Sequence, residues 1–201
     1  MMLENKDVFR LLVFAFNCVT VLFIFLELIR YTHQGAPIGD FFNSLFGRFS
    51  DSREQMNQLM LTHLYLLIGC AFPATITFII LDGGFMDGEL AVFAFSGVVF
   101  LGIGDSVAAL YGKMAGTSRW RFHYHNKSQE GSFGLIFATM LVYYMFCSKV
   151  YPSICPMFPM FLFATIPVAM LEGWTTQFDN LVCPIFYYIT LHEMFNYFMN
   201  L

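Results

Sequence analysis

The stretch GIGDSVAALYGKMAGTSRWRFHYHNKSQEGS, residues 102–132, sets an acid, hydroxyls and glycines among cations. Asp105 and Ser106 supply hard oxygen ligands suited to Mg²⁺, a cation that also coordinates substrate phosphates. Gly102 and Gly104 let another backbone or a ligand come close. Gly112 and Gly116 bracket Lys113 in a tight loop, where free N–H groups and an ammonium cradle phosphate oxygens. Arg119 and Lys127 add charge, and arginine grips phosphate bidentately. Glu130 and Gly131 then open the next apolar run, with Glu130 near a helix N-terminus. An acid, a metal and several cations suit phosphoryl transfer, which depends mainly on positioning and charge neutralisation. The P-loop pattern GxxxxGK[ST] is absent. The same residues also fit a plainer reading, a basic loop behind a helix-capping aspartate.

The elements that position these residues are membrane spans. Of 201 residues, 58% are hydrophobic and only 12% charged, with mean hydropathy +0.63. A soluble domain carries about 25% charged residues, so a water-facing surface is hard to build from this chain. About 20 apolar residues cross a bilayer as a helix. On that criterion six spans are expected, at 8–30, 59–80, 90–112, 132–150, 154–172 and 180–199. The expected fold is all-α, a polytopic transmembrane bundle forming one membrane domain over 1–201, with 102–131 as its nucleotide-binding segment. Leu11–Leu26 has the character of a signal-peptide core, but Glu27, Arg30 and Tyr31 follow it instead of small residues, so a retained span is expected. The five cysteines lack metal-ligand spacing and read as packing residues.

With six spans, one side carries loops 31–58, 113–131 and 173–179, with Arg30, Arg48, Arg53, Lys113, Arg119, Arg121 and Lys127. The other side holds Lys6, Arg10 and Lys149. The richer side is expected to be cytoplasmic. Glu27, His63, Asp105, Glu130, Glu172 and Asp179 fall at the same span ends, and ionisable groups within spans are costly and functional or paired. A site at the cytoplasmic membrane boundary follows. In loop 31–58, Phe41, Phe42, Leu45, Phe46 and Phe49 recur at helical spacing, opposite Asn43, Ser44 and Arg48. That segment reads as an interfacial helix, either resting on the membrane or walling an amphiphilic substrate. Asp51 and Glu54 mark a helix start leading into the second span. His63 fits a packing residue or a base. His123 and His125 lack a third metal ligand, and His192 and Glu193 form the far polar end of the last span. Asn126-Lys127-Ser128 is a formal glycosylation sequon, expected to face the cytosol unmodified.

The pattern GIGDSVAALYGK…G…RW…NKSQEGS resembles the signature of the CTP-dependent polyprenol kinases, most closely their dolichol kinase branch. VLFIFLELIRY (21–31), LTHLYLLIGCAFP (61–73) and LEGWTTQFDNLVCPIF (171–186) resemble, in order, three further motifs of that branch. The last has the form E-x-x-T-x-Q-x-D-N-x-x-x-P. Together the four cover about 20–199. The resemblance implies transfer of the CTP γ-phosphoryl group to a polyprenol or dolichol, with Mg²⁺ or another divalent cation, at the cytoplasmic face of the endoplasmic reticulum membrane. The product is the carrier lipid of protein glycosylation. No nucleic-acid partner is expected, and protein partners are left open.

By position, the resemblance implies a catalytic set of Asp105, Lys127, Glu130 and Asp179. Asp105 would be either the metal ligand or the group orienting the acceptor hydroxyl. Nucleotide contacts would come from Gly102, Gly104, Ser106, Gly112, Lys113 and Gly116, and from Arg119, Ser128, Gly131 and Asn180. Two departures stand out. Family members carry further N-terminal spans and an Arg-Lys-x-x-His motif, of which NKDVFR at 5–10 is at best a remnant, so this is a short form. The family's K-K-T-x-E-G-T reads here as Asn126 to Ser132, with one lysine missing and Gln129 in place of an apolar residue. Two alternatives remain beside the kinase. One is a phosphatidate cytidylyltransferase-like enzyme, disfavoured by WTTQFDN at 174–180, or another CTP-dependent lipid kinase. The other is a non-catalytic truncated paralogue.

Overall fold

The structure, a computed structural model, describes residues 6–33, 37, 39, 41, 44, 61–80, 88–120, 127–175 and 178–200. Most of the proposed interfacial segment 41–49, the Asp51–Glu54 helix start, and His123, His125 and Asn126 lie outside these residues. The described chain is a helical bundle. In order it comprises α1 (Lys6–Thr32), α2 (Thr62–Ile80), α3 (Gly88–Gly97), a π-helical segment (Val98–Asp105) and α4 (Ser106–Ala115). There follow α5 (Gln129–Lys149), a 3₁₀ turn (Pro152–Met157), α6 (Phe158–Trp174) and α7 (Asp179–Met199).

Five stretches are long and apolar enough to cross a membrane: Asp7–Thr32, Thr62–Ile80, Ala91–Ala115, Gln129–Lys149 and Ile154–Trp174. They match five of the six expected spans, so the chain is a multi-pass membrane protein. The sixth, α7, forms as a helix of 21 residues but falls short of that apolar standard. Asp179, His192 and Glu193 dilute it. Its place comes from packing: Cys183, Tyr187 and Leu191 are fully buried in the main core.

Outward-facing residues are large and apolar, including Leu11, Phe14, Phe133 and Phe137. In lipid no hydrophobic force drives helices together, so close packing and small residues decide where they meet. Gly69 of α2 shows this most clearly. A β-carbon there would collide with the Asn180 carbonyl and lie 2.8 Å from both Leu101 Cδ1 and Pro184 Cγ. At Gly97, where α3 ends, a β-carbon would strike the Gly69 carbonyl. Three elements therefore touch nearly backbone to backbone around Gly69. This contact seats the N-terminus of α7 beside the π-helical segment.

α1 carries a buried ion pair. Arg30 donates from Nε to Glu27 Oε2 at 2.8 Å and from Nη2 to Glu27 Oε1 at 2.6 Å. The sequence motif at this span end thus places a pair of charges that satisfy one another, as charges within a span require. The cysteines are all free, with Cys70, Cys147 and Cys183 buried and Cys18 and Cys155 exposed.

Candidate functional site

The chemistry-bearing stretch enters through the π-helical segment, which runs without a break in helical dihedrals into α4 at Ser106. π-helical turns inside α-helices are frequent at functional sites. Asp105 is the last residue of that segment, and among the described residues its carboxylate accepts no hydrogen bond.

α4 and α5 then form a helical hairpin, described up to Trp120 and again from Lys127. Its neck is a short antiparallel bridge between Arg119 and Ser128, with Gln129 N–H donating to the Ser118 carbonyl at 2.8 Å. Ser128 caps α5, its Oγ accepting from Gly131 N–H at 3.1 Å. Asparagine, aspartate and serine are the preferred residues for that position. Glu130 fastens the loop from the other side, its Oε1 accepting from Thr117 Oγ1 at 2.7 Å and from Ser118 N–H at 2.9 Å. The glycines make the hairpin tight: a β-carbon on Gly131 would lie 2.9 Å from the Ala108 carbonyl.

Between these elements and the α6–α7 corner lies a cavity of about 650 Å³. The π-helical segment and α4 contribute Asp105, Ala108, Ala109, Gly112 and Lys113. The hairpin contributes Gly116, Arg119, Lys127 and Ser128, and α5 contributes Gly131 and Ser132. Glu172 and Asp179 close it from the corner. At its centre Lys127 Nζ sits 2.6 Å from Glu172 Oε1 and 2.9 Å from Asp179 Oδ2, and also donates to the Glu172 carbonyl at 2.8 Å. Burial alone would pull the Lys127 pKa down. The Glu172 and Asp179 carboxylates and their hydrogen bonds outweigh it and hold the ammonium above the ordinary lysine value. Asp179 is also set by its own helix, its Oδ1 accepting from Asn180 N–H at 2.9 Å, where an acid is favoured by the helix dipole.

The cavity gathers Asp105, Lys127, Asp179, Gly112, Lys113, Gly116, Arg119, Ser128 and Gly131 of the sequence-based set. Five others stand elsewhere. Gly104 packs against α5, where a β-carbon would lie 2.8 Å from Thr139 Oγ1. Gly102 and Ser106 are exposed and joined by a 2.9 Å hydrogen bond from Ser106 Oγ to the Gly102 carbonyl. Asn180 presents its carbonyl to Gly69, and Glu130 holds the loop through Oε1 while, among the described residues, its buried Oε2 has no hydrogen-bond partner. His63 is the second residue of α2 and does not line the cavity.

Glu172 and Ser132 are the polar lining residues the sequence-based set left out, beside the apolar Ala108 and Ala109. Glu172 was visible as the first position of the E-x-x-T-x-Q-x-D-N stretch and as an acid at a span end, but nothing local paired it with Lys127, 45 residues away.

No group of three His, Cys, Asp or Glu side chains among the described residues is arranged to hold a metal by itself. Glu172 and Asp179 each give an oxygen to Lys127, which leaves Asp105 as the cavity carboxylate without a hydrogen bond or ion pair among the described residues. Mg²⁺ commonly takes one or two carboxylates plus substrate phosphates and water, and Asp105 is the carboxylate of this cavity that would be free to hold such a cation.

In sequence, the chain is 35% identical over 176 residues to dolichol kinase sec59 of Schizosaccharomyces pombe, covering 87% of this chain and 33% of that protein. It is 35% identical over 185 residues to the dolichol kinase of Homo sapiens, covering 90% and 33%. Over 87–90% of its length the chain is thus similar in sequence to dolichol kinases. A more distant likeness, 31% over 107 residues, is to a phytol kinase of Synechocystis, covering 53% of this chain and 46% of that one. The chain spans about a third of the length of the dolichol kinases it matches. No family model matches it, and neither does any solved structure. The cavity's charged lining comes from the π-helical segment, α4, the connection between α4 and α5, and the α6–α7 corner.

Proposed function

We propose that this chain carries the phosphoryl-transfer site of a CTP-dependent dolichol kinase, facing the cytoplasm at the endoplasmic reticulum membrane. One observation carries the reading. Three carboxylates and three cations from separate parts of the chain meet in one cavity at the ends of apolar helices. Phosphoryl transfer needs that combination, since the reaction asks chiefly for charge neutralisation and alignment. In this reading Lys113 and Arg119, both exposed at the cavity rim, bind the nucleotide's phosphates. Lys127 orients the Glu172 and Asp179 carboxylates and offsets part of their charge beside the γ-phosphate. Asp105 accepts the proton of the acceptor hydroxyl or holds the divalent cation. That cation, when bound, supplies neutralisation of the phosphate oxygens. The oxygen of the polyprenol forms the new P–O bond as the bond to CDP breaks, and the hydroxyl proton leaves to a carboxylate.

The test uses membranes holding the full chain, γ-labelled CTP and dolichol, with Asp105→Ala alongside. Label in the lipid fraction that Asp105→Ala abolishes is the expected result. Absence of label from the wild type defeats the reading for this chain, and transfer from ATP but not CTP overturns the donor. Release of pyrophosphate marks nucleotidyl transfer instead. Orientation is read from Asn126, which stays unglycosylated if the hairpin is cytosolic.

A further inference from the structure

A second cavity lies directly behind the first. It is an apolar groove of about 270 Å³ between α5 and α6. On α5 its wall is Gln129, Ser132, Phe133 and Ile136, and on α6 it is Ile166, Ala169 and Met170. Both sets follow the i, i+3, i+4 spacing that puts residues on one helix face. The two helices run antiparallel, so the polar end at Gln129 and Ser132 lies toward the hairpin and Ile136 faces Ile166 deeper in. From Gln129 to Ile136 the groove extends about 10 Å along the helix axis. Phe133 and Met170 are more than half exposed, so the groove opens on the side that faces lipid.

Ser132 belongs to both cavities. Its Oγ accepts from Trp120 Nε1 at 3.1 Å. The indole lies flat against α6, so close that a β-carbon on Gly173 would stand 2.7 Å from its Nε1. Trp120 and Ser132 therefore form the partition between the charged cavity and the apolar groove. The groove lining contains no charged residue, whereas the adjoining cavity is lined by six. An occupant of the groove thus has one apolar chain and a small uncharged polar head at Ser132. Phospholipid head groups do not fit that description, and an alcohol does.

Resting on the proposed function, the geometry points to this groove as the docking slot for the head end of an isoprenoid alcohol, whose hydroxyl crosses to the charged cavity beside Ser132. The Ser132 hydroxyl donates to the acceptor oxygen while Trp120 holds it in place.

The test is photolabelling that needs no turnover. The full chain in phosphatidylcholine vesicles is exposed to a diazirine-bearing polyprenol, and the labelled peptides are mapped. Label should concentrate on 132–136 and 166–170, compete with unlabelled polyprenol, and resist competition by phosphatidic acid. Ala169→Phe, which fills the groove, should reduce it at least about tenfold, the scale of lost contacts in an apolar pocket. Because Ala169 is buried, Met170→Trp at the open rim serves as the second variant should the first fail to fold. In turnover assays the same variants should raise KM for polyprenol and leave KM for CTP unchanged. Label spread evenly over lipid-facing positions such as Phe137, or undiminished in Met170→Trp, overturns the slot. Equal competition by phosphatidic acid overturns the alcohol. Localised label without CTP turnover leaves the slot standing and defeats the kinase reading, and turnover with dispersed label does the reverse.

Discussion

Replacing Lys127 by methionine removes the one cation held between Glu172 and Asp179 while keeping an apolar chain of similar length. The ammonium makes three contacts of 2.6–2.9 Å, two to carboxylates and one to a backbone carbonyl. Glu172 keeps only 8% of its side chain exposed, and Asp179 22%. Removing one partner of a buried pair typically costs about 3–5 kcal/mol, because a charge is left without compensation. Lys127 itself is 27% exposed, so the lower end, about 3 kcal/mol, is the better figure. For a chain of this size that lowers Tm by about 6–12 °C. The assay is thermal unfolding of the full chain in detergent, followed by size-exclusion chromatography. The cause is checked by Lys127→Met combined with Asp179→Asn, which removes a carboxylate along with the cation. The double variant should regain about a third to a half of the lost Tm, since coupled neighbours are not additive. It should remain without turnover. A single variant melting within about 2 °C of wild type, or a double variant no better than the single, refutes the claim that Lys127 holds the two acids together.

Further expectations concern the same cavity and its supports. Asp105→Asn should lose turnover yet melt at or slightly above the wild-type temperature. Among the described residues its carboxylate has no hydrogen-bond partner, and it shares the cavity with two other acids, so neutralising it trades activity for stability. Unfolding curves and turnover measured on one preparation decide this. Gly69→Ala should destabilise by more than the roughly 1–3 kcal/mol usual for overpacking, because its β-carbon meets the Asn180 backbone carbonyl as well as the Leu101 and Pro184 side chains. A drop in the yield of monodisperse protein would show it. The pH dependence follows from Lys127, whose folded pKa lies above the free value of 10.5. Its stabilisation is fully present below 10.5 and is lost only as pH rises through the higher folded value. The Tm difference between wild type and Lys127→Met should therefore stay constant from about pH 7 to 9, and a difference that shrinks across that window would contradict the ion-pair assignment.

Much of the site was legible in residue order. Asp105, Lys113, Arg119 and Lys127 stood out because charge and hydroxyls amid hydrocarbon are expensive and call for a reason. The first resemblance motif, over 102–132, holds the same four residues. What order alone concealed was division of labour within the motif. Glu130 looked like part of the reacting set, yet its carboxylate clasps Thr117 and Ser118. Gly104 looked like room for a nucleotide and instead lets α5 come close. Glu172 passed as one acid among several, because its partner is supplied by a loop far along the chain.

The sequence by itself determined that this is a helical membrane protein, which segments span, and where the ionisable groups gather. Hydropathy and charge placement are local properties, and the bilayer acts on each segment separately. Only the tertiary structure decided which acids share a cation, which glycines are contact points, and that an apolar groove abuts the charged cavity. Those outcomes depend on how helix faces meet across tens of residues. At Gly69, Gly131 and Gly173 the meeting is set by fractions of an ångström, and no periodicity in the chain encodes it.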